Sequence, residues 1–306
     1  MSFASIQGVI QQAGKIILGK EHQIRLALAC MLARGHLLIE DLPGVGKTTL
    51  AHVLAKLLGL DFHRIQFTSD MLPADIIGVS VYERDSGTFK FHPGPIFAQL
   101  ILPDEVNRAT PKTQSALLEA MEEHQVTAEG ATRRLPEPFF VVATQNPSHQ
   151  VGTFPLPESQ LDRFLMRLEL GYPDHEAERQ LLQGAERRDM IAGIDACLEP
   201  GELMRLQAMV KAVHAASPLL DYIQALVEHT RRSPEYTAGL SPRAALAMLH
   251  AARAWALIEG RDKVIPEDVQ AVLPGIAGHR LRRVHDEVRQ SSIDKANGLI
   301  AAVPIP

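Results

Sequence analysis

HLLIEDLPGVGKTTLAHVLAKLLG, residues 36–59, places an apolar strand (His36 to Glu40), a glycine-containing loop and a helix ended by Gly59 in that order. A strand that leads into a tight loop and then at once into a helix N-terminus is the context in which backbone N–H groups receive phosphate oxygens. Gly44 and Gly46 let the backbone wrap closely around such oxygens, Lys47 brings a point charge to the terminal phosphates, and the Thr48 hydroxyl can reach Mg²⁺. The phosphate-binding set is Pro43, Gly44, Val45, Gly46, Lys47, Thr48 and Thr49, and the expected ligands are ATP and Mg²⁺. The strict pattern has glycine at its first position, where this chain has Asp41. The two glycines beside the lysine are kept, so the departure touches the pattern more than the chemistry.

Outward from this motif, short apolar runs alternate with helical segments from His36 to Leu170, the pattern of a parallel sheet flanked by helices. Five strands are predicted, at 36–40, 62–67, 99–103, 139–143 and 164–170. After Tyr172-Pro173 the strands stop, and the remainder is helical in period with breaks at Ser217-Pro218, Ser241-Pro242 and Ile265-Pro266. The expected division is an α/β nucleotide-binding core over residues 1–173 and an all-helical domain over residues 174–306. Two hairpin-like insertions stand out in the core, at 78–95 around Asp85-Ser86-Gly87 and at 125–138 around Glu129-Gly130.

Further along the core, Leu100-Ile101-Leu102-Pro103 ends in Asp104-Glu105, as a buried strand delivering two carboxylates to the C-terminal edge of a sheet would. Asp104 can hold Mg²⁺ and Glu105 can polarise the attacking water; neighbouring carboxylates can divide these roles only because the strand is ending there. Pro103 removes a ladder hydrogen bond, which at a strand end is expected to do little harm. The apolar run Val141-Val142-Ala143 leads to Thr144-Gln145-Asn146-Pro147, where Asn146 is placed to bond the γ-phosphate or the attacking water, with Thr144 as second choice. A helix is expected from Pro111 to Glu123, capped by Thr110, with Ala116, Leu117, Ala120 and Met121 as its apolar face; it packs behind Asp104 to Arg108.

The 306 residues are 46% hydrophobic, enough to fill a core, and carry a net charge of −5 with basic residues scattered rather than gathered into a stripe. That balance argues against a stable nucleic-acid surface, and the densest basic cluster, His279, Arg280, Arg282 and Arg283, reads as a solvated helix face. Cys30 and Cys197 lie far apart without ligand-spaced partners, which supports neither a zinc site nor a disulfide framework and points to a reducing, cytoplasmic setting. No run reaches the roughly 18 apolar residues of a membrane span, and Met1 to Lys20 lacks the basic flank and apolar run of a signal peptide, so direct membrane insertion is not expected. The 13 histidines form no metal constellation; His52 and His124 read as packed or solvated.

With these motifs in order, the chain resembles AAA+ ATPases of the clade with an insert in helix 2, and specifically the MoxR family. The most specific segments that carry the resemblance are LLIEDLPGVGKTTLA, RIQFTSDMLPADIIG, LILPDEVNRATPKTQSALLEAMEE, FFVVATQNP, LPESQLDRF and the ending LIAAVPIP, and the resemblance as a whole runs over nearly the whole chain. The resemblance implies a P-loop AAA+ core, a five-stranded parallel sheet between helices, followed by an all-helical lid. It also implies that 78–95 is the helix-2 insert and 125–138 the hairpin before sensor 1, the position of Asn146.

A ring-forming ATPase needs positive charge from a neighbouring subunit to offset transition-state charge on the γ-phosphate. Arg163, in Leu161-Asp162-Arg163-Phe164, stands at the position of the family's arginine finger; the structural alternative is an ion pair with Asp162 or Glu158. Leu240-Ser241-Pro242-Arg243 reads as a helix start capped by Ser241, and Arg243 in its first turn is disfavoured by the helix dipole, so its presence asks for a reason. The resemblance supplies one: sensor 2, reaching towards a nucleotide. The helix behind it, through Leu246, Leu249, Trp255 and Leu257, reads as lid core.

The expected activity is hydrolysis of ATP to ADP and phosphate by a ring, which the resemblance implies is a hexamer, that remodels or activates client proteins. Similarity to MoxR implies chaperone-like maturation of enzymes or complexes and a partner with a von Willebrand factor A domain. A magnesium-chelatase-like motor subunit shares the same residues and stays open. A nucleic-acid-remodelling ATPase would need basic hairpins, whereas Arg84 and Lys90 are balanced by Glu83 and Asp85, and Arg133 and Arg134 by Glu129 and Glu137. A nucleotide-gated binding module that hydrolyses little is opposed by Glu105.

Overall fold

The computed structural model describes residues 2–305 apart from 86, 147–152, 185–186, 283 and 285–290. Ser86 of the expected turn, Pro147 after Asn146, Arg283 of the basic cluster, Met1 and Pro306 lie outside the described residues.

Among the described residues nine strands occur in chain order: β1 (Leu37–Glu40), β2 (Phe62–Gln66), β3 (Gly78–Glu83), β4 (Thr88–Pro93), β5 (Leu100–Asp104), β6 (Gln125–Ala128), β7 (Ala131–Arg134), β8 (Phe140–Gln145) and β9 (Met166–Leu168). Five of them form one parallel sheet in the order β2-β5-β8-β1-β9, and the hairpins β3–β4 and β6–β7 stand apart as two-stranded sheets. The five expected sheet strands are all present, each within one or two residues of its expected ends. Strands β1 and β5 are buried along their whole length, which is why they read as unbroken apolar runs, while the edge strand β2 has polar residues open to solvent.

Register brings the C-terminal ends of four strands level. Glu40 pairs with Gln145, and Gln66 with Asp104, so the residues that follow β1, β5 and β8 emerge side by side at one edge. Pro103 lies within β5 rather than at its end, opposite Ile65 of β2. The pairing of β5 with β8 stops at Ile101↔Val141, two residues before the proline that has no N–H to donate, so the two strands part just where their tips must carry chemistry.

One buried apolar cluster runs from the N-terminal helices (Ser2–Ile16 and Glu21–Leu32) across one face of the sheet and into the helices after β9; a second covers the other face beneath the helix Pro111–Glu123. After β9 the described residues form helices and no further strand, with one isolated bridge at His214↔Lys263, and prolines occupy the first turn of Pro200–Ala212, Ser217–Arg232, Pro242–Ile258 and Pro266–Ala277. Ser241 caps Pro242–Ile258 by accepting a bond from the Ala244 N–H at 3.1 Å. Thr110 holds the corresponding position before Pro111–Glu123 but does not cap it, since its hydroxyl meets that of Thr113 at 3.2 Å instead. Leu246 is 57% exposed and so is not lid core, whereas Trp255 is buried. No helix among the described residues is long and apolar enough to cross a membrane.

The basic cluster is not a solvated helix face. The helix Pro266–Ala277 has already ended, and the Arg280 side chain is only 6% exposed, paired with Asp162 at 2.6 Å. His279 is buried against the Phe164 carbonyl, and among the described members of the cluster only Arg282 is solvated, beside Glu158. A second buried pair joins β1 to β9: Arg167 meets Glu40 at 2.9 Å and reaches Ser292 of the last helix at 2.6 Å.

Candidate functional site

The loop between β1 and the helix Lys47–Leu57 turns through Gly44 (φ 84°) and Gly46 (φ 96°), backbone conformations that favour glycine. A Cβ at either position would meet nothing within 4 Å, so the space above the loop is open and only the backbone demands glycine. Asp41 is not among the residues of positive φ, and the first position of this loop has no such need. The cleft beside the loop, about 300 Å³, is lined by Pro43, Gly44, Gly46, Lys47, Thr48, Thr49, Asp104, Glu105 and Asn146. Val45 packs its side chain on the apolar core, leaving only its backbone to the loop.

Within the cleft the polar groups form one connected array. The Lys47 ammonium donates to the Asp41 carbonyl, to the Leu42 carbonyl at 3.0 Å and to Asn146 Oδ1 at 3.0 Å. Asn146 Nδ2 in turn donates to Glu105 Oε1 at 3.0 Å, so the amide joins the cation to the carboxylate. Burial pushes the Lys47 pKa down, and Asp41, Asp104 and Glu105 oppose that shift. Asp104 Oδ2 accepts from the Thr48 hydroxyl at 3.3 Å, while Thr144 donates to Oδ1 and accepts from the Glu105 N–H at 2.9 Å. Thr144 is thus a brace between the Asp104 carboxylate and the Glu105 backbone rather than a group aimed into the cleft.

Glu105 follows the end of β5 in a left-handed conformation (φ 57°), which turns its side chain away from the line of the strand and separates it from Asp104. The sequence reading anticipated that strand end but not the three groups that hold the carboxylate: Arg108 Nε at 2.8 Å and Gln66 Nε2 at 3.1 Å on Oε2, with Asn146 on Oε1. Arg64, also missed, clamps Asp104 through Nε at 3.0 Å and through a second nitrogen at 2.6 Å. The signal for Arg64 and Gln66 was present in the polar alternation of β2, but only the β2–β5 register, Gln66↔Asp104, shows that it faces the site. Buried Gln114 ties the helix Pro111–Glu123 to the carbonyls of Val106 and Ala109, both at 3.2 Å, as expected of a helix packed behind this loop.

Arg163 and Arg243 are not brought to this cleft. Arg163 bonds Glu122 at 2.8 Å and the Leu118 carbonyl at 2.8 Å; its alternative partners are engaged elsewhere, Asp162 with Arg280 and Glu158 with Arg282. Arg243 meets the same Glu122 at 2.6 Å, so both arginines, half-buried or exposed, converge on the C-terminal end of one helix. His52 is half-buried and stacks on Phe62, while His124 is exposed beside Phe139, and the described residues hold no cluster of metal-ligating side chains.

Amides at a helix N-terminus, one ammonium, a hydroxyl and an adjacent carboxylate suit a nucleoside triphosphate with a divalent cation. A family model described as the ATPase family associated with various cellular activities (AAA) matches residues 36–166, and one described as the AAA lid domain matches residues 228–297. The chain is 44% identical to the uncharacterized protein YeaC of Bacillus subtilis over 97% of its own length and 93% of that protein. It is 40% identical to chaperone MoxR1 of Mycobacterium tuberculosis over 92% of its own length and 77% of that protein. A crystal structure of a candidate ATPase from Cytophaga hutchinsonii superimposes with a TM-score of 0.91 at 36% identity, covering 100% of this chain and 96% of that one.

Proposed function

This chain belongs to the MoxR family of AAA+ ATPases, and from that premise we propose that it is a Mg²⁺-dependent, ring-forming ATPase that remodels or matures client proteins. The observation that carries the reading is the array in which Lys47, Asn146 and Glu105 are joined by successive 3.0 Å hydrogen bonds beside the Gly44–Gly46 turn. In it Lys47 and the loop amides bind the phosphates, Glu105 accepts the proton of the attacking water, and Asn146 orients that water against the terminal phosphate. Thr48 and Asp104 would hold Mg²⁺, which neutralises charge on the phosphates when bound.

Arg163 and Arg243 act in this reading on the nucleotide of a neighbouring subunit. Their placement on Glu122, outside their own cleft and accessible, supports that direction. The division near residue 173 then separates a core that holds one nucleotide from a lid that serves the next. A hexamer, a von Willebrand factor A domain partner and a cytoplasmic setting belong to the same proposal. Two of the hairpin cations are engaged by the hairpins themselves, Lys90 with Glu83 at 3.1 Å and Arg133 of the second hairpin over the Phe91 ring of the first at 3.6 Å, which favours a protein client over nucleic acid.

ATP hydrolysis and particle mass, measured together with and without ATP, test the proposal on the wild type, Glu105→Gln and Arg163→Ala. Turnover confined to an oligomer, abolished by either substitution while nucleotide still binds, is the expected result. Equal turnover by a monomer would discard the ring and the shared site.

A further inference from the structure

The departure of this chain from the strict phosphate-loop pattern has a place in the structure. Asp41 directly follows β1, and its own N–H bonds the Gln145 carbonyl of β8 at 3.3 Å. One carboxylate oxygen, Oδ2, accepts both the Leu170 N–H and the Gly171 N–H, each at 2.6 Å, and Oδ1 accepts the Leu42 N–H at 2.7 Å. Leu170 and Gly171 lie just after β9, on the strap that leads through Tyr172 and Pro173 to the helix His175–Gln183. Gly171 has φ 65°, and Lys20 bonds the Tyr172 carbonyl at 2.7 Å, so the strap is held from both sides. The backbone carbonyl of Asp41 meanwhile accepts from Lys47. A glycine at this position would keep that carbonyl and lose all three side-chain bonds.

We infer that Asp41 is a positioning residue that couples the phosphate loop to the strap between core and lid, so that nucleotide at the loop sets the placement of the lid. Phosphate oxygens compete with the Asp41 and Leu42 carbonyls for the Lys47 ammonium. Release of those carbonyls repositions the Asp41 backbone, and its carboxylate carries the shift to the amides of residues 170 and 171. The inference rests on the loop as the nucleotide site, but not on the ring, the finger arginines or the client.

The test compares wild type with Asp41→Gly, which restores the pattern's glycine, and with Asp41→Asn, which keeps an oxygen acceptor on the same stem. A fluorescent N-methylanthraniloyl ATP reports binding, steady-state hydrolysis reports kcat and KM, and amide exchange reports residues 41–48 and 170–172 with and without nucleotide. In the wild type nucleotide is expected to alter exchange in both segments. In Asp41→Gly binding stays within roughly threefold and KM is little changed, kcat falls by roughly tenfold, and only residues 41–48 still respond; Asp41→Asn recovers part of the rate and of the response. Wild-type kcat in Asp41→Gly, or a nucleotide response at 170–172 that survives in it, overturns the coupling. Should Asp41→Gly not fold, wild-type exchange decides alone, and a response confined to residues 41–48 refutes the inference. Lys47→Ala is the control: if it still binds the fluorescent nucleotide, the loop is not the site and the reading beneath the inference fails first.

Discussion

Replacing Arg280 by methionine should cost far more stability than the same change at Arg282, two residues on. The Arg280 guanidinium donates to Asp162 Oδ1 at 2.6 Å and to the carbonyls of Phe164 (2.7 Å), Ile276 (2.8 Å), Asp162 (3.2 Å) and Leu165 (3.2 Å). Its side chain is 6% exposed and that of Asp162 24%. Removing the cation leaves a largely desolvated carboxylate with the Ser241 hydroxyl at 3.2 Å, and carbonyls that gain no donor from methionine. Loss of one partner of a buried pair costs about 3–5 kcal/mol, and the partial exposure of Asp162 sets the expectation at about 3 kcal/mol. In a chain of this size that lowers the melting temperature by roughly 5–10 °C. The Arg282–Glu158 pair, 59% and 60% exposed, should cost under about 1 kcal/mol. Urea unfolding followed by circular dichroism and by the fluorescence of Trp255, the one tryptophan of the chain, measures both. Because Arg280 ties the segment after the Pro266–Ala277 helix to the loop before β9, the Trp255 transition should also separate from the overall one in Arg280→Met. Equal costs at the two positions, or a cost below about 1 kcal/mol at Arg280, would refute the reasoning.

Three further outcomes are expected. Thr144→Val keeps the shape of the brace but removes its bonds to Asp104 and the Glu105 N–H, so hydrolysis should fall by roughly 10- to 100-fold with nucleotide affinity nearly unchanged; unaltered turnover in a steady-state assay would show that the carboxylates need no such support. Arg64→Met removes a cation from the same Asp104 oxygen that faces Thr48, so the Mg²⁺ concentration giving half-maximal hydrolysis should drop a few-fold, by roughly the factor expected for relief of one nearby positive charge; a titration with the midpoint unchanged or raised counts against competition at that oxygen. His36 is buried between the Met121 carbonyl and the Val141 N–H, and burial pushes its pKa from 6.5 down to about 4. The unfolded chain therefore binds the proton first, stability is full above pH 6.5 and is lost as the pH falls from there towards 4, by up to about 3 kcal/mol. His279, shifted in the same direction by burial and by Arg280 and Arg167, adds to that loss. Urea midpoints at pH 7.5 and pH 5 for the wild type and His36→Gln check it, and an equal acid loss in the variant would clear His36 of any part.

What the sequence alone determined is what depends on near neighbours along the chain. Gly44 and Gly46 demand positive φ wherever the loop sits, Pro242 and Pro266 start helices because their own rings set φ, and buried strands such as Leu100–Asp104 show as apolar runs. The order of Lys47, Asp104, Glu105 and Asn146 along the chain was for the same reason enough to place them at one edge of a parallel sheet. What only the tertiary structure decided is which distant side chains oppose one another. Gln66 and Arg64 reach the carboxylates through a register between strands some forty residues apart, Arg163 and Arg243 meet on Glu122, and Arg280 is buried because a loop before β9 surrounds it. The role of Asp41 is of the same kind: its neighbours in sequence mark it as an imperfect glycine position, while its carboxylate is satisfied by amides at 170 and 171. Backbone conformation is set by local sterics and can be read locally; the partner of a charge is set by whichever group packing brings within hydrogen-bond reach, and that is written in no single stretch of the chain.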